Sequence, residues 1–357
     1  MVSRATTLDD VARLAGVSYQ TVSRVLNRPD QVAPATRERV TAAMQQLNYV
    51  PNRVAQQLAG KSTRTLGLAT SDLALMAPAQ IASAIQHRAA ARGYHLVIAM
   101  AAASGAEAAR ATLNELLAQR VDGLLINLPL ENSEALQLQG LCGEKPALFL
   151  DVADDAAVAQ CQFSSAMGAQ QGVAHLLALG HRRIALLNGP MHSISARQRF
   201  HAWEQALAAH QLRPHAVLSG DWSARSGYQA MMTLLPDNLP QALLVANDQM
   251  ALGAMHALHQ FGIAIPQQMS LMGYDDTAES AWYQPPLTTV RQDLRLLGEV
   301  SVDRLLARLH AETDTTPALE TSLVLRATTA PPSQGKPDRQ ALVRQLQVLA
   351  RQLGECE

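Results

Sequence analysis

The chain reads as an α/β protein with an all-α helix-turn-helix head and a two-lobed core of parallel, doubly wound sheets. Three observations predict this. The first 50 residues carry three short amphipathic helical patterns in quick succession. From about residue 62 to 330, apolar runs of strand length alternate with helical patterns, too many for one compact sheet. Charge divides near the same boundary. Residues 1–64 hold nine Lys/Arg against four Asp/Glu, and the remainder holds 20 against 26. A basic head on an acidic body points to nucleic acid at the N-terminus.

The totals agree. A chain of 357 residues with 48% hydrophobic content exceeds one ordinary core and fits two or three units. Cys142, Cys161 and Cys356 are scattered and odd in number, with neither a disulfide framework nor zinc spacing, which fits a reducing compartment. The N-terminus lacks an apolar signal core, and no run is long enough to span a bilayer. A cytoplasmic, nucleoid-associated location with no membrane partner is therefore expected.

In the head, Leu8, Val11, Ala12 and Ala15 recur at helical spacing, Thr7 and Asp10 form a capping-box pattern, and Gly16 breaks the helix. Ser18 caps a second helix in which Val22, Val25 and Leu26 face inward. Gln20, Arg24 and Asn27 face outward, and Tyr19 stands at the exposed first turn. Val40, Ala43, Met44 and Leu47 give a third stripe. In helix-turn-helix geometry the second helix enters the major groove and its first residues meet base edges. Gln suits adenine, Arg suits guanine, and Tyr can meet base or phosphate. Thr7, Ser18, Thr21 and the arginines are candidates for phosphate contacts, which set affinity and register. A small protein-binding domain is the alternative; the outward Tyr/Gln/Arg set and the basic charge favour DNA.

Residues 51–60 read as one short helix, opened by Pro51 and closed by Gly60, with Val54 and Leu58 on one face. Such a helix is marginal alone, since ordering each residue costs about 1–2 kcal/mol. A second copy from a dimer partner, or DNA met by Asn52 and Arg53, would stabilise it, and a Leu58 held at a two-fold axis could wedge between base steps. Taken alone, these ten residues read as an ordinary linker; the flanking segments reverse that.

In the body, strands are expected at 65–70, 96–101, 123–127, 147–151, 184–188, 243–246 and 270–273, with helices at 79–92, 107–119, 166–179, 197–209, 224–234 and 249–261. Ligands in such folds bind beyond the carboxyl ends of strands. Those ends carry Ser71, Asn127, Asp151, Asn247-Asp248 and Asp275-Asp276, with Arg197, Arg199 and Trp222 nearby. Carboxylates, amides, a guanidinium fork and an aromatic face suit a polyhydroxylated ligand. Each residue alone reads as a turn or cap; recurrence at four or more strand ends carries the sugar reading. There is no nucleophile elbow, phosphate loop or dinucleotide fingerprint. His256 and His259 lie three apart on a helix, but they read as a solvated face, and Asp275-Asp276 point apart rather than pairing. No enzyme activity, cofactor or metal is expected.

After a linker at 331–340, rich in Pro, Ser and Gly, Leu342, Leu346, Leu349 and Leu353 recur at four-three-four spacing, a heptad seam. About two heptads are too few for a two-stranded coil. A four-helix bundle from four chains buries more of each helix, and a frayed terminal helix is the alternative. The expected division is head 1–50, hinge 51–62, core 63–330, linker 331–340 and tetramerisation helix 341–357.

With these residues in view, nearly the whole chain resembles the LacI/GalR family of bacterial repressors. The likeness rests on Leu8-Asp9-Asp10-Val11-Ala12, on 16–24, on the 51–60 hinge, on 245–254, and on Gly273-Tyr274-Asp275-Asp276-Thr277. The Tyr19-Gln20…Arg24 reader, residues 220–223 and the leucine tail look like the family's lactose-type branch. The resemblance implies a periplasmic-binding-protein-like (type I) core and a symmetric operator read by paired heads, with Leu58 wedged in the minor groove. It also implies a β-galactoside inducer between the lobes. By motif match the sugar would meet Asp151, Arg199, Asn247, Asp275 and Gln292. Leu75, Ile81 and Trp222 would line the apolar side, and Asn127 and Ser195 would add polar contacts. Three positions depart from the lactose-type pattern. Leu294 replaces an aromatic residue at the pocket, Ser165 replaces a His, and Ala33 replaces a Ser cap. Losing that cap costs about 0.5–2 kcal/mol, of which Pro34 at the first helical position recovers part.

The function expected is therefore an operator-binding repressor of a lactose-type operon, released allosterically by a β-galactoside, with a homodimer assembling to a homotetramer. A family member answering another sugar or nucleoside is the alternative. A periplasmic sugar-binding protein and a sugar-acting enzyme are more distant ones.

Overall fold

The structure, a computed structural model, describes residues 6–27, 29–49, 62–234 and 239–333. The expected hinge with Asn52, Arg53 and Leu58, and the tail with Leu342, Leu346, Leu349 and Leu353, lie outside these residues. The chain divides into two compact units, Met1–Thr63 and Arg64–Glu357.

The first unit contains α1 (Leu8–Ala15), α2 (Tyr19–Asn27) and α3 (Pro34–Gln46), with a 3-10 turn at Pro29–Gln31. Thr7 and Asp10 cap α1 reciprocally. Gly16 then takes a left-handed φ of 63°, which glycine adopts without steric cost, and the chain turns into α2. Val11, Val22 and Val40, one from each helix, are fully buried at the centre. At α3, Ala33 makes no side-chain cap bond and Pro34 holds the first position, as read from the sequence.

The second unit has two lobes. In the first, β1 (Thr65–Thr70), β2 (His95–Met100), β3 (Gly123–Asn127) and β4 (Ala147–Phe149) form an all-parallel sheet of order β2-β1-β3-β4. Its helices are α4 (Met76–Ala91), α5 (Ala106–Ala118) and α6 (Asn132–Cys142). In the second lobe, β5 (Ile184–Asn188), β6 (Val217–Ser219), β7 (Ala242–Val245), β8 (Ser270–Asp275), β9 (Thr288–Arg291) and β10 (Ser322–Val324) form a sheet of order β10-β9-β8-β7-β5-β6. Helices α7 (Ser165–Ala178), α8 (Ile194–Ala209), α9 (Ala224–Leu234) and α10 (Asp248–Gln260) accompany it. One expectation is corrected: β10 pairs antiparallel with β9, so this sheet is mixed rather than wholly parallel. Antiparallel edge strands are common on such sheets.

Every residue of β1, β3, β5, β7 and β8 is buried, which explains their continuous apolar runs. The helix α11 (Leu294–Leu309), absent from the sequence expectations, follows β9 but packs on α4 and β3 in the first lobe. Among the described residues the chain therefore crosses between lobes three times: after β4, before α11 and after α11. Gly298 makes the α11–α4 contact possible, because a Cβ there would lie 2.6 Å from that of Ala84. Arg88 Nε donates to both carboxylate oxygens of Asp303 at 3.0 and 3.1 Å and fixes the same helix pair.

Strand order reverses between β1 and β3 in one lobe and between β5 and β7 in the other. Such switch points open crevices at the carboxyl ends of strands. Both crevices face one cleft.

Candidate functional site

On the head, Ser18 Oγ accepts from the Thr21 amide at 3.2 Å and caps α2. With Val22 and Val25 buried, Tyr19, Gln20 and Arg24 are left exposed on the helix. The Thr7 hydroxyl donates to Asp10 at 2.7 Å, and the Ser18 and Thr21 hydroxyls lie 2.9 Å apart, so these candidates for phosphate contact also build the helix caps. Asn27 ends α2; its side chain lies outside the described residues.

In the core, the cleft encloses a cavity of about 410 Å³, within the range of small-molecule sites. The twelve residues singled out for ligand contact all line it, whereas Arg197, Asp248 and Asp276, also read near strand ends, do not. Ser71 follows β1, Asn127 ends β3 and Asp151 follows β4. Ser195 and Arg199 sit on α8, Trp222 follows β6, Asn247 follows β7, Asp275 ends β8 and Gln292 follows β9. Leu75 and Ile81 come from the start of α4, and Leu294 opens α11. Gln249, Gln198, His192, Asp221 and Asp72 also line the cleft and were not anticipated. Gln249 had a local signal, since it adjoins Asn247-Asp248 at a strand end. Gln198 sits on α8 one residue before Arg199, and His192, Asp221 and Asp72 sit on loops whose course no spacing reveals.

Arg199 is the hub. It is 5% exposed, and its NH2 lies 3.5 Å from Asp275 Oδ1 while its NH1 donates to the Ala246 carbonyl. The guanidinium carbon sits 3.8 Å from the Tyr274 ring centroid and 5.7 Å from that of Trp222. Its Nε, and Nε2 of Gln292, are buried donors with no acceptor among the described residues. A buried donor without an acceptor costs free energy that a ligand oxygen would recover.

Two further features are aimed at the cleft. Trp222 and Asp275 take φ values of 77° and 111°, a region costly for residues other than glycine and concentrated at functional sites. Asn247 secures the first of these: its Nδ2 donates to the Trp222 carbonyl at 3.0 Å while its Oδ1 accepts from the Met250 amide at 2.9 Å, capping α10. Asp248, beside it, is fully buried and accepts from the Thr277 amide at 3.0 Å, Ser280 Oγ at 2.6 Å and Thr289 Oγ1 at 2.7 Å. It braces the ends of β8 and β9 instead of meeting the cavity. Asp275 and Asp276 do take different partners: Asp276 accepts from Arg291 at 2.6 Å and Arg326 at 2.5 Å, whereas Asp275 lies beside Arg199.

Burial pushes the Asp275 carboxyl up to about 6, against the pull of Arg199. Burial does the same for Asp151, to about 6, against Arg199 and Arg197. Burial and then the charge of Asp275 raise Asp248 to about 7, against its three donors. Near neutral pH the cleft thus presents carboxylate acceptors, guanidinium and amide donors, and an apolar wall. No group of three or more His, Cys, Asp or Glu among the described residues is placed to hold a metal, and His256 packs on Tyr228 with ring centroids 5.5 Å apart. No described helix is long and apolar enough to cross a membrane.

Comparison with known proteins gives a consistent picture. Residues 7–52 match the bacterial regulatory proteins of the lacI family, and residues 173–329 match a periplasmic binding protein-like domain. The chain is 50% identical over 353 residues to the lactose operon repressor of Escherichia coli (strain K12), covering 98% of each chain. It is 43% identical over 355 residues to the lactose operon repressor of Klebsiella pneumoniae, covering 99% of this chain and 100% of that one. Among solved structures, a lac repressor dimer bound to operator and the anti-inducer ONPF superposes with a TM-score of 0.86 at 51% identity, over 92% of this chain and 100% of that chain.

Proposed function

Because the chain belongs to the lacI family of bacterial regulatory proteins, we propose that it is a sequence-specific DNA-binding repressor of a lactose-type operon, released from its operator by a β-galactoside held between the lobes. It is a regulator, not an enzyme. The observation that carries the ligand assignment is the pair of buried, acceptorless donors on Arg199 and Gln292, set beside the Asp275 and Asp151 carboxylates. A galactosyl ring has vicinal hydroxyls that can accept from the first pair and donate to the second. Trp222, Leu75, Ile81 and Leu294 supply an apolar wall for the less polar ring face and the aglycone.

In this reading α2 lies in the major groove, with Tyr19, Gln20 and Arg24 at base edges. Residues 51–60 form the clutch between head and core, with Leu58 wedged in the minor groove. A galactoside touching both lobes favours one lobe arrangement over another. The loss of operator affinity can be no larger than its differential affinity for the two. A dimer provides the paired heads, supported by β2, the edge strand of the first lobe's described sheet, where Ile98 and Met100 are exposed. Leu342, Leu346, Leu349 and Leu353 then join two dimers, which raises the local concentration of one operator near another.

Calorimetry on the full chain, with a non-hydrolysable β-galactoside, a β-glucoside and a purine nucleoside, tests the ligand class. Binding of the galactoside alone is expected. Binding of the nucleoside and not the galactoside would overturn the assignment.

A further inference from the structure

The first turn of α4 is poorly capped by its own sequence. Leu75, at the N-cap, makes no side-chain bond, and Pro78, the third residue, has no amide proton. The Met76 amide is one of the donors that a helix leaves without an internal partner. Here it donates to Gln249 Oε1 at 3.3 Å. Gln249 lies 173 residues away on the first turn of α10, in the other lobe. The cap of a first-lobe helix is therefore supplied across the ligand cleft. That helix carries Ile81 into the cavity and packs its length on α11. A second polar contact across the cleft, the Arg197–Glu131 ion pair, has side chains 34% and 54% exposed, where ion pairs contribute little.

We infer that Gln249 is a positioning residue: its side-chain carbonyl caps α4 only while the lobes keep the described arrangement, and it thereby couples the cleft to lobe orientation. This rests on the repressor reading above. A hinge or twist between lobes withdraws α10 from α4 and uncaps the helix, so the bond biases a two-state equilibrium rather than simply adding to ligand contact. A residue that biases such an equilibrium changes operator and galactoside affinity in opposite senses, whichever of the two the described arrangement favours. A residue that only touches ligand changes galactoside affinity alone.

The test uses the full-length chain with Gln249→Leu, which keeps bulk and removes the acceptor, and Gln249→Glu, which keeps an acceptor whose charge suits a helix N-terminus. Operator affinity without sugar is read by fluorescence anisotropy, galactoside affinity by calorimetry, and protection of the Met76 amide by hydrogen exchange. For Gln249→Leu the expectation is opposite shifts of up to about fivefold in the two affinities, roughly 1 kcal/mol, with faster Met76 exchange. Gln249→Glu, which keeps the acceptor, is expected to retain the slow Met76 exchange that Gln249→Leu loses. A change in galactoside affinity alone, a fall in both affinities together, or unchanged Met76 exchange would each overturn the inference. If the parent protein shows no galactoside-sensitive operator binding, the repressor reading fails. The ligand-free Met76 exchange of the two variants then still decides whether the cross-lobe cap exists.

Discussion

Gly189 and Trp222 allow the architecture of the cleft to be tested with one methyl group. Gly189 lies just after β5, beneath the Trp222 indole. A Cβ added there would sit 2.4, 2.5 and 2.7 Å from three atoms of that ring. Ordinary carbon contacts are about 3.5–4.0 Å, so the ring must retreat by about 1 Å. It cannot do so freely. The Trp222 carbonyl is held by Asn247, and Arg199 stacks over the ring. The open direction is the cavity, where the ligand belongs. Overpacking of this kind costs about 1–3 kcal/mol, equivalent to roughly 5- to 150-fold in affinity. Gly189→Ala should therefore weaken galactoside binding within that range while leaving the fold intact, because the backbone there needs no left-handed φ. Indole fluorescence is the assay. Of the three tryptophans, Trp203 is buried in the second lobe's core and Trp282 is 86% exposed. A ligand-dependent change in emission therefore reports chiefly on Trp222. A folded Gly189→Ala protein with galactoside affinity within twofold of the parent would refute Trp222 as a wall of the site.

Three further outcomes are expected. Ala33→Ser restores a capping side chain before Pro34 and should stabilise the head by about 0.5–2 kcal/mol, read as a higher melting temperature for a fragment or transition that reports on the head, with the core transition unmoved. Galactoside affinity should be level at neutral pH and fall as pH drops below about 6. Asp275 and Asp151 then take up protons and cease to be pure acceptors, by up to about tenfold per pH unit for each proton that the ligand must displace. The sign follows from carboxyls raised above their ordinary range: it is acid, not base, that neutralises them, and calorimetry from pH 5 to 8 reads it. Deleting residues 339–357 should leave a dimer that still binds one operator; a surviving tetramer in sedimentation would place the tetramer contact elsewhere.

Much of this was legible because buried parallel strands announce themselves. The segments 65–70, 123–127 and 184–188 are apolar runs with both faces covered, and the structure places strands at those bounds. The polar residues that close each run stand out against them, which is why Asn127, Asn247 and Asp275 could be chosen before any coordinates. What stayed hidden depended on the fold's long-range wiring. Helix α11 follows a second-lobe strand yet belongs to the first lobe, and nothing in residues 294–309 says so. The three-residue β10 pairs only because β9 offers it an edge. The division of labour between Asp248, which braces, and Asp275, which faces Arg199, is invisible in a row of acidic strand ends. Gln249 capping Met76 is the extreme case, since neither residue is unusual for its own segment. Gln292, Ser195, Leu75, Ile81 and Leu294 were expected at the pocket only through the resemblance to a known family, because none of them closes an expected strand.

The proposed function stands on coupling between operator binding and a sugar in the cleft. The direct measurement is fluorescence anisotropy of a labelled, palindromic lac-type operator at fixed salt, titrated with protein and then with a non-hydrolysable β-galactoside. Salt must be held constant because phosphate contacts make affinity steeply salt-dependent. Tight, sequence-selective binding that the galactoside reverses is expected. Binding no tighter than to scrambled DNA, or operator binding that a cleft-saturating galactoside leaves unchanged, would contradict it.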